Sequence, residues 1–73
     1  MNDNYNKLAN AIILQAVKDY RKALRTLSLY PYNRAAQYES RCIEQFFRSG
    51  WFGVLTHIHP EMLINKLKSE VAA

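Results

Sequence analysis

The side chains in this sequence that could do chemistry are few: Cys42, His57, His59 and Glu61, and seven cations, Lys18, Arg21, Lys22, Arg25, Arg34, Arg41 and Arg48. Imidazole, thiolate and carboxylate are all zinc ligands, and four of them in a tetrahedral array would make a metal site. Their spacing argues against one. Structural zinc sites pair cysteines or histidines on both sides of a loop, whereas Cys42 stands alone in the middle of a helical stretch. No metal and no cofactor is therefore expected. His57 and His59 have no acid or nucleophile beside them and read as a capping residue and a surface side chain. Catalytic residues are not expected either. The chain has no Gly-rich phosphate loop, no Ser/His/Asp or Cys/His motif and no close carboxylate pair, and so small a domain has little room for a water-excluding pocket. Binding, without catalysis, is the expected mode of action.

The cations are arranged for it. Lys18, Arg21, Lys22 and Arg25 recur at three-four spacing and share one helical face, which Leu14 extends by one turn with an exposed apolar group. Arg34, Arg41 and Arg48 make a second stripe at heptad spacing. Side by side, the two stripes would form a seven-cation face able to engage phosphates or an acidic protein surface. Tyr30 and Tyr32, near Arg34, suit base stacking or an interface hot spot. Leu14, Tyr30, Tyr32 and part of the Trp51-Phe52 region could instead cover one another across a twofold, as in a homodimer. A solvated basic helix face, with both tyrosines packed over a turn, is the plain alternative.

The elements that position these residues must fit into 73 residues, hence a single domain over 1–73, with 49% hydrophobic residues to build its core. One cysteine excludes an internal disulfide, which suits a reducing cytosol. The formal charge of +4 favours anionic partners modestly, and the excess lies in the first two thirds of the chain. The opening MNDNYNKLAN lacks the pattern of a signal peptide, and no apolar run is long enough to span a membrane, so no membrane partner is expected.

Helical periodicity dominates. Tyr5, Leu8, Ala9, Ile12, Ile13, Ala16, Val17, Tyr20, Ala23, Leu24 and Leu27 predict a long helix over about 4–28, capped by Asp3 or Asn4 and stopped by Tyr30-Pro31. After the turn YPYN a second helix, about 33–48, is expected to turn Ala35, Ala36, Tyr38, Cys42, Ile43, Phe46 and Phe47 inward and Glu44 and Arg48 outward as an i,i+4 pair. Ser49-Gly50 ends it and starts a short helix over 50–56, whose Trp51, Phe52 and Leu55 are expected in the core. Pro60 and Glu61 open a last helix over about 60–71, with Leu63, Ile64, Leu67 and Val71 inward. The fold class is all-α: a small helical bundle of a long N-terminal helix, a second helix, a short aromatic helix and a C-terminal helix.

Two resemblances bear on function. Tyr20-x-x-Ala23-Leu24 followed by Pro31-x-Asn33-x-x-Ala36-x-Tyr38 is similar to a junction in tetratricopeptide repeats. The chain holds no second repeat, so this is a helical-hairpin cue only. AIILQAVKDYRKAL (11–24) and FFRSGWFGVLT (46–56) resemble small, mostly uncharacterised proteins of Firmicute phages and integrative mobile elements, over about Leu8 to Leu67. Gln15, Asp19, Tyr20, Arg21, Phe46, Phe47, Ser49, Trp51 and Leu55 match that group, while Gly50 and His59 stand where it more often carries acidic residues. The resemblance implies a bacterial cytoplasmic setting and a mobile-element role. By analogy with other small phage proteins, it also implies binding to a host protein or nucleoprotein, including inhibition of a defence system such as CRISPR-Cas. Direct, sequence-nonspecific nucleic-acid binding and structural homo-oligomerisation are the alternatives.

Overall fold

The structure, a computed structural model, describes residues 3–72, with side chains from 8 to 71. Among the described residues there are four helices and no strand: α1 (Asp3–Leu29), α2 (Arg34–Arg48), α3 (Gly50–Leu55) and α4 (Pro60–Ala72). The all-α bundle expected from periodicity is what the chain forms. The caps proposed at Asp3 or Asn4 rest on side chains outside those described, as does the inward placement of Tyr5.

The breaks between helices are built from local chemistry. Past Leu29 the Tyr30 N–H still reaches the Thr26 carbonyl at 2.7 Å, and the chain then turns through Pro31, whose ring disfavours further helix before it. Asn33 ends the turn and caps α2, its side-chain oxygen accepting the Ala36 N–H at 2.9 Å. Ser49 serves two helices at once. Its N–H and hydroxyl both donate to the Phe46 carbonyl at the end of α2, and its hydroxyl oxygen accepts the Phe52 N–H at the start of α3. Ser49 is extended (φ −77°, ψ 157°) and no described residue takes positive φ, so Gly50 is not needed as a left-handed helix terminator. Pro60 stands at the first position of α4, where its missing N–H costs nothing, and the His59 carbonyl accepts from Leu63.

The core lies where all four helices meet. Ile13, Tyr20, Phe47, Phe52, Ile64 and Leu67 are buried together, flanked by Ala16, Val17, Leu24, Ile43, Phe46, Leu55 and Leu63. Tyr20, Phe46, Phe47 and Phe52 stack edge-on or tilted, with ring centroids 5.4–5.8 Å apart, geometry in which a positive ring edge meets a negative face. The stretch from Phe46 to Glu61 is thus mostly helix punctuation and core.

Four inward placements are corrected: Ala35, Tyr38, Cys42 and Trp51 are exposed, Trp51 by 59% and Tyr38 by 69%. Leu8, in the apolar period of α1, is exposed as well. On α3, residues 51 and 52 point 100° apart, and the short helix turns Phe52 and Leu55 inward, leaving Trp51 outside. On α2 the buried arc is Ala36, Ser40 and Phe47, flanked by Ile43 and Phe46. It is narrower than the apolar residues suggest, because α1, α3 and α4 all pack on that one side. The exposed placement of Leu14 (61%), Tyr30 and Tyr32 agrees with expectation.

Candidate functional site

Lys18, Arg21, Lys22 and Arg25 all lie exposed on α1, on the side away from the core, with exposed Leu14 beside them. Arg21 bends to α4, where its Nε meets Glu70 at 3.1 Å. Among the described residues, Lys18, Lys22 and Arg25 have no carboxylate within ion-pair distance. Three unmatched cations and one shared one therefore crown a single helical face.

The second stripe is divided. Arg34 and Arg41 are exposed and, among the described residues, also lack an acidic partner. Arg48 is consumed internally. Its guanidinium grips Glu61 of α4 with two hydrogen bonds, one of them 3.1 Å, and approaches Glu44 at 3.5 Å. The Glu61 contact raises the Arg48 pKa and holds the Glu61 carboxyl below the usual glutamate range. Arg21 leans on the last turn of α4 and Arg48 on its first, so α4 lies between the stripes and the seven cations do not merge into one face.

Glu44, expected on the solvent side, is instead half-buried and ties three helices together. It accepts the Tyr20 hydroxyl at 2.6 Å, pairs with Arg48 and lies 3.7 Å from Lys68. Burial, followed by the hydrogen bond to Glu44, pushes the Tyr20 phenol well above the tyrosine range. No buried side-chain polar atom among the described residues lacks a partner, so this network is self-contained. Sequence reasoning had found the Glu44–Arg48 pair, but not its links to Tyr20, Glu61 and Lys68.

A second surface was not anticipated. Between α1 and α2 an open groove of about 520 Å³ is walled by Ala11, Ile12, Ala16, Ile43 and Phe46, with Gln15, Asp19 and Cys42 at its rim. Ile12 also lines a smaller depression with Leu8, Trp51 and Leu55, and Cys42 one with Tyr38, Arg41 and Gln45. The three run together as a strip. Exposed Trp51, Leu8 and Tyr38 mark its ends, and no spacing within one helix signals it.

No three His, Cys, Asp or Glu side chains converge as a metal site among the described residues. Cys42, His57 and His59 are all exposed. No described helix is long and apolar enough to cross a membrane. No protein-family model, curated protein or solved structure matches the chain.

Proposed function

We propose that this chain is a non-enzymatic binding protein that docks the basic face of α1 on a host protein or nucleoprotein complex in the bacterial cytoplasm. The observation that carries the reading is the trio Lys18, Lys22 and Arg25, exposed and unmatched by acid among the described residues, with exposed Leu14 one turn before it. An exposed apolar residue at the end of a cationic stripe supports reading that stripe as an interface patch. The source in a phage or mobile element, and action against a defence system such as CRISPR-Cas, belong to the same proposal and rest on the resemblance of 11–24 and 46–56. Arg34 and Arg41 are a separate, weaker site of attraction, and Arg48 is structural.

The test is affinity capture from host lysate with wild type and Lys22→Glu/Arg25→Glu, alongside anisotropy titrations of free DNA and RNA at about 50 and 200 mM salt. A host complex retained by wild type and lost with the charge reversal is the expected result. Tight binding to free nucleic acid, falling steeply with salt, would replace this reading with backbone-dominated nucleic-acid binding. Equal capture by both proteins would remove the basic face from the function.

A further inference from the structure

The outward face of α2 differs in make-up from the basic face of α1. Arg34, Tyr38, Arg41 and Gln45 follow one another at spacings of four, three and four, which sets all of them on one side of the helix, and all are exposed. Among the described residues neither arginine meets a carboxylate. Glu39, between them in sequence, points about 100° from Tyr38 and further from both arginines. Tyr38, Arg41 and Gln45, together with Cys42, enclose a depression of about 310 Å³. The turn before α2 adds exposed Tyr30 and Tyr32, and the Gln37 amide ties that turn to the helix by donating to the Pro31 carbonyl at 2.8 Å.

Aromatic and cation therefore alternate from Tyr32 through Arg34 and Tyr38 to Arg41. The stripe Arg34, Tyr38, Arg41 and Gln45 holds no aliphatic side chain, whereas the stripe on α1 has Leu14 at its end. Protein interfaces gather apolar groups at their centre, while nucleic-acid interfaces are more polar and more positive. A ring between two cations suits an unpaired strand, whose phosphates meet the guanidinium groups while a base stacks on the ring. Arg34 and Arg41 stand seven residues apart, about 10 Å along the helix axis, so their long side chains reach phosphates on both sides of one stacked base. A duplex keeps its bases inside and offers the ring nothing to stack on.

From the alternation, the depression and the two unmatched arginines, we infer that the outward face of α2 binds a single strand of nucleic acid, with phosphates on Arg34 and Arg41 and a base on Tyr38. The depression beside Tyr38 receives the base, and the Gln45 amide, which both donates and accepts, meets its edge. Every base has a face to stack, so the site is tolerant of sequence. It is separate from the basic face of α1 and stands whether or not that face docks a host complex. Two phosphate contacts give weak binding, about 10⁻⁴ M at physiological salt, and a shallow salt slope of about −1.4 in log–log form. Tight binding that falls steeply with salt would need more cations than this face has.

Anisotropy titration of labelled oligothymidylate, and of its duplex with oligoadenylate, tests this with wild type, Tyr38→Ala, Tyr38→Phe, Arg34→Gln/Arg41→Gln and Lys22→Gln/Arg25→Gln. All five positions are exposed, so the replacements leave the core untouched. Between about 50 and 200 mM salt the wild-type affinity for the strand should fall about sevenfold. Tyr38→Ala should weaken the strand about tenfold, Tyr38→Phe should restore it by keeping the ring, and the duplex should bind less well and ignore both changes. Arg34→Gln/Arg41→Gln should lose most of the salt dependence. Absence of binding at the lower salt overturns the inference, and so does a Tyr38→Ala protein that holds the strand as wild type does. A greater loss from Lys22→Gln/Arg25→Gln than from the α2 pair would put the strand on α1 and overturn it too. Displacement of the strand by oligoglutamate as readily as by unlabelled oligothymidylate would make the face a seat for acidic protein instead.

Discussion

Where α2 meets α4, Glu44, Arg48, Glu61 and Lys68 answer one another and reach Tyr20, whereas where α2 meets α1 the outer seam is apolar and open. The first seam is complete within one chain. Its exposed ion pairs add little stability singly, but a half-buried carboxylate with three partners sets the register of α4 against α2. The second seam leaves hydrophobic area uncovered. The polar seam serves the fold, and the apolar seam is left open to solvent.

Phe52 and Trp51 sharpen this contrast most, because they are neighbours on α3 with opposite surroundings. Phe52, 1% exposed, packs against Phe46 and Phe47. Phe52→Ala should cost about 3–5 kcal/mol by denaturant unfolding. Trp51→Ala, at the open seam, should cost less than about 0.5 kcal/mol in dilute protein. Equal losses would mean that Trp51 belongs to the core and that the strip ends before it.

Tyr20→Phe probes the polar seam while keeping the ring in the core. Removing a hydrogen bond to a carboxylate should cost about 1.5–3 kcal/mol at neutral pH, with Glu44 keeping Arg48 and Lys68 as partners. The phenol's folded pKa is raised, so its contribution is fully present below the unfolded tyrosine value, about 10, and is lost as pH rises above it. Wild type should therefore lose melting temperature above that pH and Tyr20→Phe should lose less. Parallel alkaline curves for the two proteins would show that the Tyr20–Glu44 bond does not set the seam.

Gly53 lies inside α3 with nothing within 4 Å of the place a Cβ would take and without positive φ. Gly53→Ala should stabilise by about 0.5–1 kcal/mol through lost freedom in the unfolded chain. A destabilised variant would mean that the space beside Gly53 is occupied.

Most of the fold was legible because its signals are local. Three-four spacing drew α1 and α4, and Pro31, Ser49 and Pro60 punctuate the chain where single residues decide backbone geometry. What stayed hidden was non-local. Tyr38 and Cys42 share an apolar helix with Phe47 and have the same residue character, and only the placement of α1, α3 and α4 shows that they face outward. Arg21–Glu70 and Arg48–Glu61 join residues 49 and 13 positions apart. No spacing rule within one helix reaches that far. The basic face of α1 could be read from its periodicity, but the groove could not, since a groove belongs to two helices.

The smallest effect expected is at the exposed end of the polar seam. The Arg48 contact holds the Glu61 carboxyl below the usual range, so its contribution is present above the unfolded glutamate value, about 4.3, and is lost as pH falls through the lower folded value. Between about pH 5 and 3 the melting temperature of wild type should fall more steeply than that of Glu61→Gln, and added salt should narrow the gap because both partners are exposed. Above that window the two proteins should differ only slightly, as surface ion pairs contribute little once formed. A Glu61→Gln protein that tracked wild type through the acid range would show that the Arg48–Glu61 contact carries none of the seam's acid sensitivity.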